Sequence, residues 1–183
     1  MVSRIILIGF MAAGKSTVGR ILAQRLGWKF VDFDEEIERR MEMTIPEIFE
    51  IHGAKTFRAL EGELTADLAQ IDDQIVLAPG GGWITQPDLL DYFGAETLVV
   101  WLQISPEAAV ERAMKTLSHR PLLAGAPDPI ERARRLIAER EPLYQMADLM
   151  VEVEDREADQ VVDEIIAHLD EIRETGIGDR GTL

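Results

Sequence analysis

Eight consecutive residues constrain this chain more than any other feature in it. Gly9-Phe10-Met11-Ala12-Ala13-Gly14-Lys15-Ser16 fits the pattern G-x-x-x-x-G-K-S/T without a gap. A β-like apolar run, Arg4 to Ile8, precedes it, and an amphipathic stretch, Thr17 to Leu26, follows. A strand feeding such a loop into a helix demands an α/β architecture. It also specifies chemistry. Backbone N–H groups of Gly9, Ala12, Ala13, Gly14 and Thr17 belong to a loop and helix start that point at phosphate oxygens, aided by the helix dipole. Lys15 supplies a point charge to the β and γ phosphates, and Ser16 offers its hydroxyl to Mg²⁺ bridging them. The alternative is a glycine-rich turn with an exposed lysine, which these flanks disfavour. The loop specifies a nucleoside triphosphate such as ATP; alone it does not specify a kinase.

The rest of the chain agrees with this architecture. Short apolar runs alternate with longer amphipathic ones, as βαβ units do. Strands are predicted at Arg4 to Ile8, Lys29 to Asp32, Gln74 to Ala78, Thr97 to Ile104 and Leu149 to Val153. They lack clean alternation because strands of a parallel sheet are buried on both faces. Thr44-Ile45-Pro46-Glu47 is a capping box, and Ser105-Pro106 and Asp128-Pro129 are further helix starts. Other helices are expected near Lys15, Asp34, Pro87 and Glu157. The predicted fold is a three-layer α/β/α sandwich on a five-stranded parallel sheet. One domain is expected over 1–173, with a loose, polar tail over 174–183.

Charge and composition exclude several functions. The 183 residues carry 19 basic and 34 acidic side chains, a formal net charge of -15. So acidic a surface repels nucleic acid and anionic lipid, so neither is expected as a partner. A nucleotide site must then gather its own positive charge locally. The absence of cysteine excludes disulfides, zinc–thiolate centres and thiol nucleophiles. Arg4 and the apolar run to Ala13 look like a short signal peptide, but the run breaks at Gly14-Lys15-Ser16 and no cleavage region follows. No stretch approaches the roughly 20 apolar residues of a membrane span. A cytoplasmic location is expected, and nothing in the sequence requires more than a monomer.

Asp32-Phe33-Asp34 ends the second predicted strand, where a sheet of this kind places its ligands. A period of two would put Asp32 and Asp34 on one side and Phe33 opposite. Asp32 suits Mg²⁺ held through its water shell, and Asp34 suits acceptance of a proton from a reacting hydroxyl. The competing reading is helix capping, since Asp34-Glu35-Glu36 also resembles an acidic first helical turn.

From Ile5 to about Leu169 the chain resembles the shikimate kinases. The phosphate loop and Asp32-Phe33-Asp34 match at family-like spacing. Ile45 to Phe49, His52-Gly53 and Phe57-Arg58-Ala59-Leu60-Glu61 look like the family's substrate-binding helices, expected over about 34–62. Gly80-Gly81-Gly82 matches its glycine-rich substrate loop. Arg120-Pro121-Leu122-Leu123 resembles its lid, expected over about 112–128, and Arg140-Glu141-Pro142-Leu143-Tyr144 its second substrate arginine. The resemblance implies phosphorylation of shikimate to shikimate 3-phosphate by ATP with Mg²⁺, on the route to chorismate and the aromatic amino acids. It implies substrate contacts from Asp34, Arg58, Glu61, Gly80, Gly81, Gly82 and Arg140. Lys15, Asp34 and Arg120 would be catalytic, and Arg112, Arg120 and Arg156 would flank the nucleotide.

Physical reasoning supports these assignments. Arg58 and Glu61 lie three apart on a helix, so Glu61 can hold a guanidinium that grips a carboxylate in a bidentate fork. Three bare glycines let a substrate approach the backbone without meeting a Cβ. A lid closing over ATP would expel water and bring Arg120 to the phosphates as charge develops. Three departures from the family pattern stand out. Ala12 replaces the usual glycine and is strained if its φ is positive. Trp83 is bulky for its position and either packs beneath the sheet or narrows the acceptor pocket. The stretch between Arg112 and Arg120 is slightly long. The rival readings are another small-molecule kinase, acting for instance on gluconate, and a non-catalytic nucleotide-binding switch.

Overall fold

The five apolar runs form five strands: β1 (Arg4–Ile8), β2 (Lys29–Asp32), β3 (Ile75–Ala78), β4 (Thr97–Gln103) and β5 (Leu149–Glu152). The computed structural model describes residues 1–115 and 127–175. All strand pairings are parallel, in the order β2-β3-β1-β4-β5. Because β1 is central, the chain leaves it toward β2 and β3 on one side and β4 and β5 on the other. Connections that diverge in this way open a crevice at the carboxyl end of β1.

Burial on both faces explains why the strands read as unbroken apolar runs. Ile5 and Leu7 enter one core, while Ile6 and Ile8 enter the other. The first core is closed by α1 (Lys15–Leu26), α4 (Pro106–Lys115), the start of α5 (Pro129–Tyr144) and α6 (Ala158–Thr175). The second is closed by α2 (Phe33–Met41), α3 (Ile45–Ala69) and two short 3-10 helices, Trp83–Thr85 and Pro87–Tyr92. The end of α5 crosses over to it, where Tyr144 stacks on Trp101 with ring centroids 5.4 Å apart.

The predicted helix starts hold at Thr44, whose side chain and Glu47 form the reciprocal capping box, and at Asp128, which accepts from Glu131 N at 3.0 Å. Ser105 Oγ likewise accepts from Ala108 N at 3.1 Å. Two details differ. The segment at Pro87 is 3-10 rather than α-helical, and α6 runs through Glu174 to Thr175 where a loose tail was expected. The helix α3 also bends at Gly53, whose φ of 78° and ψ of 169° interrupt the helical path. None of the described helices is long and apolar enough to cross a membrane.

Candidate active site

The loop between β1 and α1 closes on itself, Ala13 N donating to Phe10 O at 3.3 Å. Gly9 has φ 148°, and a Cβ there would lie 2.5 Å from the carbonyl oxygen of Leu102 in β4, so only glycine fits. Gly14, at φ 91°, begins α1 with no side-chain cap, and no acidic residue occupies the first turn. The first N–H groups of α1 are thereby left for an incoming anion. Lys15 Nζ folds back onto the carbonyl oxygens of Gly9 at 3.0 Å and Phe10 at 3.2 Å. Ala12 has φ 61°, the strained geometry expected for alanine at this position.

The alternation argument for Asp32 and Asp34 is corrected by the structure. The strand stops at Asp32 and α2 begins at Phe33, so the two aspartates are not same-side neighbours on a strand. The capping role belongs to Asp32: its Oδ1 accepts from Asp34 N at 3.0 Å and Glu35 N at 3.3 Å. Its other oxygen, Oδ2, accepts from Ser16 Oγ at 2.5 Å. Hydroxyl and carboxylate oxygens from the two sides of the crevice therefore meet, an all-oxygen donor set suited to Mg²⁺. Asp34, in the first turn of α2, still reaches the glycine tripeptide. A Cβ on Gly80 would stand 3.0 Å from Asp34 Oδ1 and 3.1 Å from Glu61 Oε1.

Each glycine of that tripeptide faces a different part of the site. Gly81 lies against the phosphate loop, where an added Cβ would be 3.1 Å from Met11 N. Its carbonyl accepts from Arg140 Nη1 at 2.9 Å, and Arg140 is 7% exposed rather than solvated like its charged neighbours. Gly82 lies under Arg58: a Cβ would come within 2.1 Å of Arg58 Nη2. Arg58 pairs with Glu61, which is wholly buried, so this is no ordinary surface ion pair. Burial pushes the Glu61 carboxyl up to about 7, against the opposing pull of Arg58.

On the nucleotide side, a cavity of ≈ 360 Å³ is lined by Ala13, Gly14, Thr17, Arg112, Val153 and Arg156 among others. Arg112 Nη2 is anchored on Val153 O at 2.7 Å, while Arg156 bonds Glu164 Oε2 at 2.6 Å and Gln160 O at 3.0 Å. A larger cavity of ≈ 490 Å³ lies beyond β4 and β5, but Glu141, Glu152, Glu154 and Asp155 line it and would repel a polyanion. Arg120 and the rest of the expected lid from 116 to 126 lie outside the described residues.

Two contributors, Gln86 and Thr65, carry no mark in the sequence, and a third, Trp83, takes the first of its two expected places. Gln86 Nε2 donates to Glu61 Oε2 at 3.2 Å, and Thr65 Oγ1 donates to Glu61 O at 2.7 Å. Trp83, 1% exposed, packs in the second core instead of narrowing the pocket, and donates its indole N–H to Thr65 Oγ1 at 2.9 Å. Only the tryptophan, bulky directly after three glycines, carried a signal.

A family model described as Shikimate kinase matches residues 11–170. The shikimate kinase of Rhodopseudomonas palustris is 44% identical over 165 residues, 90% of this chain and 80% of that protein. Among solved structures, the shikimate kinase from Acinetobacter baumannii in complex with shikimate gives a TM-score of 0.85 at 36% identity. That match covers 93% of this chain and 94% of the other. A gluconokinase from Sinorhizobium meliloti 1021, 18% identical with a TM-score of 0.62 over 94% of both chains, shares the fold alone.

Proposed function

This chain belongs to the shikimate kinase family, and on that premise we propose that it transfers the γ-phosphoryl group of ATP to shikimate, giving ADP and shikimate 3-phosphate. One observation carries the reading to this chain's own residues. A single tripeptide, Gly80 to Gly82, abuts the phosphate-loop backbone, the Asp34 carboxylate, and both Arg58 and Arg140. A carboxylate clamp, a proton acceptor and a triphosphate cradle are thus gathered around one short segment.

Each residue's role follows from its chemistry. Arg58, braced by Glu61, grips the planar carboxylate of the acceptor, and Arg140 adds a second guanidinium on the same side. Asp34 orients the reacting hydroxyl and accepts its proton. The amides of Gly9, Ala12, Ala13, Gly14 and Thr17 hold the triphosphate, and Lys15 leaves the Gly9 and Phe10 carbonyls to meet it. Ser16 and Asp32 would hold Mg²⁺, which when bound neutralises charge building on the β and γ phosphates. Arg112 and Arg156 border the nucleotide cavity. Arg120 is assigned to the developing charge on the family resemblance.

ADP release measured with shikimate, gluconate and nucleoside monophosphates tests the reading. Shikimate is the expected acceptor, and preference for either of the others overturns it. Two variants then separate binding from chemistry. Arg58→Ala loses a charge-assisted hydrogen-bond pair, about 1.5–3 kcal/mol, so the KM for shikimate should rise roughly ten- to a hundredfold. Asp34→Asn keeps size but cannot take a proton, so kcat should fall by about 10²–10⁴ with KM much less affected. An unchanged shikimate KM in Arg58→Ala would remove the carboxylate clamp and the substrate assignment with it.

A further inference from the structure

The glycine tripeptide sets the position of both acceptor guanidiniums, yet three glycines cannot hold a backbone in place by themselves. Gly81 O fixes Arg140 Nη1 at 2.9 Å. The face of Gly82 fixes how closely Arg58 can lie, since a Cβ there would crowd Nη2 of its guanidinium and stand 2.8 Å from Cζ and 3.0 Å from Nη1. Whatever anchors Gly81 and Gly82 therefore decides the spacing and tilt of two forks that must meet one small carboxylate.

The next residue supplies the tether to α3, beside the Thr85 hydroxyl that donates to Gly82 O at 2.7 Å. Trp83 N closes the turn on Gly80 O at 3.0 Å. Its indole N–H runs to Thr65 Oγ1 at 2.9 Å, and that hydroxyl donates onward to Glu61 O at 2.7 Å. Glu61 and Thr65 lie on α3, the helix that also bears Arg58, so the tether joins the loop to the element carrying one guanidinium. The indole also meets Phe33 in a T-shaped pair, with centroids 6.2 Å apart and planes at 76°. Phe33 lies between Asp32 and Asp34 in sequence, so the same ring packs against the turn carrying the proposed base. Trp83 is 1% and Thr65 0% exposed, so water cannot substitute for either partner of this bond. Core filling alone would be met by phenylalanine or leucine; the indole is distinguished by a donor that finds a side-chain partner.

We propose that Trp83, tied to Thr65, is a positioning residue for the acceptor carboxylate, acting through Gly81 and Gly82 to register Arg140 against Arg58. The inference rests on the function proposed above and adds to it a determinant of acceptor binding outside the ligand-contacting set. It predicts a selective defect. Misplacing one fork by a fraction of an ångström weakens a bidentate grip, while the nucleotide cavity lined by Gly14, Thr17, Arg112 and Arg156 takes no residue from this tether.

Steady-state kinetics with both substrates test this on the full chain. Thr65→Val removes the hydroxyl at nearly constant volume, Trp83→Phe removes the N–H but keeps an aromatic ring, and Thr65→Ser keeps the hydroxyl. Thr65→Val and Trp83→Phe should each raise the KM for shikimate about ten- to a hundredfold, leaving the KM for ATP within about twofold. Thr65→Ser should stay near wild type, and the double variant should be no worse than the worse single one, because both cut one bond. A lowered melting temperature with an unchanged shikimate KM would mean Trp83 only stabilises the fold, and overturns the inference. So would equal rises in both KM values. If one variant does not fold, the other decides by the same criteria. Failure of the proposed function shows earlier and differently, as absence of shikimate turnover in the unsubstituted protein, and takes this inference with it.

Discussion

Helices α1 and α2 both start at the carboxyl edge of the sheet, and their first turns are completed in opposite ways. The start of α1 has glycine at its cap, no side chain on its free amides and no acidic residue in its first turn. The start of α2 has Asp32 bonded to two of its amides, followed by Asp34, Glu35 and Glu36. An uncapped helix start attracts anions, so phosphate can supply what the side chains of α1 do not. A capped, acidic start satisfies its own dipole and presents carboxylates instead. Under the proposed function, the same local structure serves as a phosphate cradle at one strand end and would hold the metal and accept the proton at the other. Ser16 and Asp32 join the two by one hydrogen bond.

The comparison can be broken most severely at Lys15. Lys15→Ala removes the one side-chain charge that α1 adds to its bare amides, so kcat should fall by about 10²–10³ with melting unchanged. Turnover at the wild-type rate would sink the phosphate assignment. Next comes the double duty of Asp32. Asp32→Asn keeps a capping oxygen but loses the charge, so the Mg²⁺ concentration for half-maximal rate should rise about 10- to 100-fold. Its melting temperature should hardly move, because asparagine caps as well as aspartate. Asp32→Ala should show the same Mg²⁺ defect plus a loss of about 0.5–2 kcal/mol of stability, read by thermal melting. If both variants melt alike, Asp32 is not holding α2. The smallest effect is expected at Ala12. Ala12→Gly relieves a left-handed alanine, a gain of about 1–2 kcal/mol that the freer unfolded glycine partly offsets. The melting temperature should therefore rise by only about 1–3 °C, and a fall would mean that the φ of 61° is not strained here.

Strand ends were legible to within one residue, since runs buried on both faces leave little doubt about where apolar sequence stops. The region from Val31 to Asp34 misled for a related reason. Val-Asp-Phe-Asp alternates as a half-buried strand would, although the acidic run Asp34-Glu35-Glu36 already marked a helix start that the structure places at Phe33. Phe33 is buried against Trp83 rather than pointing away from a strand edge. The reading of Arg58 with Glu61 was right about the pair, but its environment could not be read. Three-residue spacing describes a buried clamp and a solvated pair equally well.

What the sequence alone determined is the part of the site whose chemistry is done by consecutive backbone. The phosphate loop needs glycines at fixed offsets, a lysine and a hydroxyl, all within eight residues, so one stretch of chain states the whole requirement. The tertiary structure alone decided the acceptor side. There Arg140 meets Gly81 across 59 positions, Trp83 meets Thr65 across 18 and Gln86 meets Glu61 across 25. The physical reason is desolvation: these polar groups gain their partners, and Glu61 its raised pKa, only when α3, α5 and the glycine loop close over them and exclude water. A carboxyl such as Glu61 has no unusual property in the extended chain. Burial creates it.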